Sequence, residues 1–254
     1  MQHPPSSAPA KLRGEWATPD CLTVVGHELR TPLTLVKGYV QILQGFPDLT
    51  QPEVPGMLAE IARAVTRLEG VVDALSDVAR GAAPEALNSQ PLSLHALLMR
   101  VLKPYRDALA QRRLHVHCDL RDLPQVHGDA AALAKVFDQL VSNAIKYTPD
   151  GGTMTINGEA LLEAGQRFVH VIIADRGIGI APEHREAVFA PFFRVGPAAL
   201  HSSGRTKFKG GGPGLGLSLA RAVVEAHGGR MWVESPGYDE VTCPGSTVYL
   251  VLPA

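Results

Sequence analysis

Val24-Val25-Gly26-His27-Glu28-Leu29-Arg30-Thr31-Pro32-Leu33 sets a histidine and a carboxylate side by side in a stretch whose apolar residues recur at helical intervals. Leu22, Val25, Leu29, Val36 and Leu43 are separated by three, four or seven residues, the spacing of a helix seam packed against partner helices. His27 lies off that seam, about 200° around the helix from Val25, so its ring is expected to face solvent. An exposed imidazole beside a carboxylate is the arrangement a phosphoryl acceptor needs. Pro32 has no N–H to give the carbonyl of Glu28, which predicts a kink one turn beyond His27.

This first helix is expected from about Pro19 to Leu43, ending at Gly45-Phe46-Pro47-Asp48. A second follows from about Glu53 to Arg80, with Val54, Leu58, Ile61, Val65, Leu68, Val72 and Leu75 in one narrow stripe. Two helices with one stripe each cannot enclose a core, so the hairpin is expected to pair with a second copy as a four-helix bundle, a homodimer. Gly81-Ala82-Ala83-Pro84 breaks the pattern. Beyond Pro91, helical stretches near Leu94 to Gln111, Ala130 to Tyr147 and Leu217 to His227 interleave with strand candidates at Leu114 to Leu120, Thr153 to Asn157, Phe168 to Ala174, Arg230 to Glu234 and Thr247 to Leu252. The fold class read from this order is α + α/β. Residues 1–14 are expected to be a disordered tail or linker, 15–82 a helical dimerisation domain and 90–254 an α/β domain.

Composition narrows the function classes. The 254 residues carry 24 basic and 25 acidic side chains, a net charge of -1, so no global field recruits nucleic acid. Cys21, Cys118 and Cys243 are odd in number and scattered, which fits a reducing compartment; the expected location is the cytoplasm. No run reaches the roughly 18 apolar residues of a membrane span. His115 and His117 share a strand face without a second ligand pair at a recognised spacing, which argues against a structural metal there.

Further motifs carry the chemistry. Asp175-Arg176-Gly177-Ile178-Gly179-Ile180 follows an apolar strand and puts a carboxylate, able to accept from an exocyclic amine, beside glycines that let a ligand approach the backbone. Gly210-Gly211-Gly212-Pro213-Gly214-Leu215-Gly216 precedes a helix, whose N-terminal amides suit phosphate. In Gln139-Leu140-Val141-Ser142-Asn143-Ala144-Ile145-Lys146-Tyr147, an amide and an ammonium three apart share a helix face and suit Mg²⁺ and phosphate. No Walker sequence and no dinucleotide fingerprint is present.

Taken in order with Phe189-Ala190-Pro191-Phe192-Phe193-Arg194-Val195, these segments closely resemble the sensor histidine kinases of two-component signalling. The likeness covers nearly the whole chain after residue 20. It implies a helical dimerisation and phosphoacceptor domain joined to an ATP-binding α/β sandwich of the kind shared with Hsp90 and gyrase. By the same resemblance His27 accepts the γ-phosphoryl group of ATP, with Glu28 as base. Asn143 is the implied Mg²⁺ ligand, Lys146 and Arg194 are phosphate contacts, and Tyr147 is a neighbour of the nucleotide. Asp175 would read the adenine amine beside Gly177 and Gly179, while Gly212, Gly214, Leu215 and Gly216 would form the hinge and phosphate-facing end of a lid over Gly196 to Gly212. The implied phosphoryl recipient is an aspartate of a response regulator. Glu28 and Thr31 match a Glu-x-x-Thr pattern that in this family positions a dephosphorylating water; alternatively, Thr31 makes only a local backbone bond.

Three residues depart from the family pattern. Gln139 replaces the usual first asparagine, Gly26 a serine, and Pro213 a frequent threonine. Gln139 alone favours the alternative of a nucleotide-binding pseudokinase or scaffold. A plain ATPase of the Hsp90 and gyrase kind lacks the His27 hairpin. The opening segment is too short to be a sensor domain, so the stimulus is expected from a separate sensor protein or from an input domain missing from this chain.

Overall fold

A computed structural model of the chain describes residues 19–46, 48–81, 87–193, 206, 208 and 214–254. The expected tail over 1–14 lies outside them. The chain divides into two compact units, Met1–Leu68 and Glu69–Ala254, with the division inside the second long helix.

Helix α1 spans Pro19–Gln44 and helix α2 spans Val54–Gly81. Asp48 shapes the intervening turn by accepting from Thr50 N at 2.8 Å. Helix α1 continues through the buried Pro32. The single stripe expected on α2 divides in two. Val54 is 2% exposed and Ile61, Leu68 and Leu75 are half-buried, whereas Leu58, Val65 and Val72, also seven residues apart, are 52%, 39% and 52% exposed. Leu33 and Val40 form a matching exposed heptad step on α1.

The second unit opens with strand β1 (Gln90–Leu92), helix α3 (Leu94–Leu102), a 3₁₀ turn (Lys103–Tyr105) and helix α4 (Arg106–Gln111). The helix expected from Leu94 to Gln111 is therefore broken, because Pro104 removes a backbone donor within it. Strands β2 (His115–Asp119) and β3 (Val126–Gly128) precede the long helix α5 (Ala130–Tyr147), which is followed by β4 (Thr153–Glu163), β5 (Gln166–Asp175), helix α6 (Gly216–Ala226), β6 (Arg230–Glu234) and β7 (Ser246–Pro253). Strands β1 and β3 make a small antiparallel pair. The main sheet runs β2-β4-β5-β7-β6, with β2 parallel to β4 and all other neighbours antiparallel.

Local sequence explains the joints. Asp129 caps α5 by accepting from Ala131 N and Ala132 N, both at 2.9 Å; these amides hold its carboxyl below the usual carboxylate range. Ala164 and Gly165, both at positive φ, form the two-residue turn that carries β4 six residues past its expected end. Helix α6 ends where Gly228 N donates to Glu225 O and Gly229 N to Val224 O, each at 2.9 Å.

Helix α5 packs between α3 and α6 on one face of the sheet. Leu133, Val136, Phe137, Leu140, Val141 and Ala144 of α5 meet alternate strand residues such as Val169, Val171 and Ile173. This core fixes α5, and with it Asn143, against the end of β5 and the start of α6.

Candidate functional site

Helix α1 presents His27 exposed, as the seam predicts. Glu28 is half-buried, and its Oε2 accepts from Arg67 Nη2 of α2 at 2.7 Å. Arg67 is a residue that sequence reasoning missed, since a contact across 39 positions leaves no periodic signal. Thr31 Oγ1 donates to the carbonyl oxygen of His27 at 3.0 Å, the local backbone bond weighed for it above.

The second unit gathers three of the segments singled out in the sequence. Asp175 ends β5 and accepts from Gly177 N at 2.8 Å and from Ser246 Oγ at 3.0 Å. Burial outweighs those bonds and pushes its carboxyl up to about 6. Gly177 lies so close to the end of α5 that a Cβ would come within 2.5 Å of the carbonyl oxygen of Tyr147. Ile178 N then donates to that oxygen at 3.1 Å, tying the Asp175 loop to the Asn143 helix. At Gly179 the φ of +74° and a Cβ position 2.0 Å from Gly237 O exclude any side chain.

Asn143 is half-buried on α5 and its Oδ1 accepts from Gln139 Nε2 at 2.9 Å. Lys146 is only 8% exposed, whereas Tyr147 is 38% exposed. Gly214 sits where a Cβ would meet the Phe192 and Phe193 backbone within 2.9 Å, and Gly216, at the start of α6, lies under the Gln139 amide. The Leu215 side chain is buried and its carbonyl accepts from Ser218 Oγ at 2.8 Å, so only its backbone can face a ligand. Arg194, Gly212 and nearly all of the expected lid lie outside the described residues.

Two further residues hold this site together. Ser235, 5% exposed, accepts from Ile180 N at 2.9 Å and reaches Gly245 O at 2.7 Å, pinning the Asp175 loop to the β6–β7 connection. Arg112 donates to the carbonyls of Ile145, Thr148 and Thr206 and to the Asp150 carboxylate, which ties off the end of α5. Neither stands in a pattern that sequence alone could reveal, because each acts through loops distant in the chain.

Among the described residues no group of three or more His, Cys, Asp or Glu side chains could cage a metal. At the centre the hard donor is instead the carboxamide oxygen of Asn143, which accepts from the Gln139 amide. Hard oxygen donors too few for a cage fit Mg²⁺, which commonly keeps its waters and is held partly by substrate phosphates. The Asp175 carboxylate, walled by Gly177 and Gly179, fits a base carrying an exocyclic amine. Among the described residues no helix is long and apolar enough to cross a membrane.

Comparison with known proteins identifies the family. Residues 128–254 match the family described as histidine kinase-, DNA gyrase B-, and HSP90-like ATPase, and residues 20–84 match the His Kinase A (phospho-acceptor) domain. The signal transduction histidine-protein kinase/phosphatase MprB of Mycobacterium leprae is 32% identical over 240 residues, covering 91% of this chain and 42% of that protein. The chain spans less than half the length of the curated relatives it matches. Among solved structures, the Acinetobacter baumannii histidine kinase AdeS superposes with a TM-score of 0.64 at 26% identity, covering 89% of this chain and 97% of that one. Histidine kinase ThkA, in complex with response regulator protein TrrA, gives a TM-score of 0.63 at 20% identity over 92% of this chain and 61% of that one, a likeness of fold alone.

Proposed function

We propose that this chain, which belongs to the sensor histidine kinases of two-component signalling, uses ATP to phosphorylate His27 and passes the phosphoryl group to an aspartate of a response regulator. The observation that carries the reading is the exposed His27 beside the half-buried Glu28 on a helix, in a chain whose second unit brings the Asp175 loop against the end of the Asn143 helix. In the first step a ring nitrogen of His27 attacks the γ-phosphorus, the bond to the bridging oxygen breaks, and ADP leaves. The ring proton passes to Glu28, whose carboxylate must share or release Arg67 to take it. In the second step the aspartate oxygen displaces the His27 nitrogen from phosphorus.

Phosphoryl transfer is chiefly positioning and charge stabilisation. Asp175 would accept the adenine amine, and the backbone at Gly177 and Gly179 would wall the base. Asn143 would hold Mg²⁺, which when bound neutralises charge on the phosphates. Lys146, Arg194 and the backbone of Gly212, Gly214, Leu215 and Gly216 would serve the phosphates, and Tyr147 would border the nucleotide. Residues 15–82 are assigned to dimerisation and phosphotransfer and 90–254 to ATP binding.

The exposed heptad steps Leu33–Val40 and Leu58–Val65–Val72 support a homodimer through the hairpin. The cytoplasm, where ATP is available, is the proposed location of this chemistry. Glu28 and Thr31 are also assigned to dephosphorylating the regulator, an activity carried in the name of the MprB relatives. The test is incubation with Mg²⁺ and γ-labelled ATP. Acid-labile, alkali-stable label on the wild type and none on His27→Ala is expected; equal labelling of the two overturns the reading. Normal ATP binding with no label would favour the scaffold.

A further inference from the structure

Gln139 and Asn143 stand one turn apart on α5, both half-buried. The Gln139 amide is held from two sides. Its Nε2 donates to Asn143 Oδ1 at 2.9 Å. Its plane lies against the first residue of α6, where a Cβ on Gly216 would sit 1.9 Å from Cδ, 2.1 Å from Nε2 and 2.3 Å from Oε1. Only glycine leaves room for that amide, so the contact with Asn143 and the contact with α6 are made by the same group.

Asn143 has one side-chain oxygen to offer a cation, and Gln139 already directs a hydrogen at it. A magnesium–oxygen contact is short, about 2.0–2.1 Å, and demands near-octahedral directions. An N–H aimed at the same oxygen takes one of its two lone pairs and brings a partial positive charge beside the ion. An asparagine in place of Gln139 is one methylene shorter and would not reach along the helix in the same way.

We infer that Gln139 is a positioning residue that clasps Asn143: its N–H takes one lone pair of the carboxamide oxygen, and Mg²⁺ binding at that oxygen draws the amide away, shifting it on Gly216. The inference rests on the assignment of Asn143 as the Mg²⁺ ligand. It couples metal loading to the start of α6, the element that follows the second glycine cluster. The Gln139 departure from the family pattern thereby becomes a brake on metal loading and leaves every reacting group in place.

The test is titration of the full chain with a fluorescent ATP analogue in excess Mg²⁺ and in EDTA, the ratio of the two affinities being the metal gain. Gln139→Met keeps the bulk over Gly216 and removes the donor; Asn143→Ala removes the ligand. Gln139→Met is expected to raise the metal gain about two- to tenfold, the range of a neutral hydrogen bond, with affinity in EDTA unchanged. Asn143→Ala is expected to abolish the gain. A wild-type gain in Gln139→Met with the gain lost in Asn143→Ala overturns the clasp and leaves the Asn143 assignment standing. A smaller gain in Gln139→Met makes Gln139 a ligand and also overturns the clasp. A full gain in Asn143→Ala overturns the ligand assignment and the clasp together.

Discussion

His27 stands exposed on helix α1, its near surroundings an Arg67–Glu28 ion pair and one Thr31 backbone bond, whereas Asp175 and Asn143 are gripped from several chain segments at once. Ile178 bonds Tyr147 O, Ser235 bonds Ile180 N, and the Gln139 amide lies on Gly216. The difference follows from the work proposed for each. A group that takes phosphoryl from one partner and yields it to another must be reachable, so it can have few contacts. A group that recognises a nucleotide must be preorganised, so its loops are pinned to the core in advance.

The largest expected effect falls on the sparse side. His27→Ala should abolish acid-labile labelling while nucleotide affinity, read by fluorescence titration, stays at the wild-type value; loss of both would break the comparison. On the gripped side, Phe137 is fully buried at the centre of α5, so Phe137→Ala should cost about 3–5 kcal/mol in denaturant unfolding and remove nucleotide binding near the unfolding midpoint.

Asp175 sharpens the contrast through pH. Its carboxyl is raised to about 6 by burial, and the ionised form is the better acceptor for an amine. Nucleotide affinity should fall about tenfold between pH 7 and pH 5, and Asp175→Asn should weaken binding at pH 7 without that pH dependence. For the free protein the sign is opposite. A carboxyl with a raised folded pKa stabilises the fold fully below its unfolded value of 3.8, and that stability is lost as pH rises through about 6. Thermal unfolding from pH 4 to 7 should show the loss in the wild type and a flatter profile in Asp175→Asn.

The smallest effects test the hairpin surface. Leu58→Glu with Val65→Glu removes two of the exposed heptad residues, and sedimentation should show the dimer falling to monomer with helix content retained. Thr31→Val should shift stability by no more than about 0.5 kcal/mol and slow dephosphorylation of the regulator with His27 labelling retained. Unchanged dephosphorylation would leave Thr31 with its local bond alone.

Long elements were legible because period survives in sequence: α1, α2, α5 and α6 were placed to within a few residues. Strands β1 and β3 were not. Each has three residues, too few to display alternation, and Pro91 lies in one of them. The stripe on α2 was read correctly as apolar, but its division into a buried row from Val54 and an exposed row from Leu58 depends on what packs nearby. Among the site residues, Asp175, Asn143, Gly177 and Gly179 stood out by type and position. Arg67, Arg112 and Ser235 did not, since each meets a partner 33 or more positions away, Glu28, Ile145 and Ile180 respectively.

By itself the sequence determined that a helical hairpin carries an exposed histidine and that an α/β unit follows with an amide, a carboxylate and glycines in a fixed order. Helical and strand periods are set by local backbone geometry, and the identities of reacting groups are written residue by residue. Only the tertiary structure decided that Gly177 must yield space to the Tyr147 backbone, that Glu28 is held by Arg67, and that Gln139 reaches both Asn143 and Gly216. Those are contacts between surfaces that meet after the chain has folded, where distance in space and not distance along the chain sets which atoms interact.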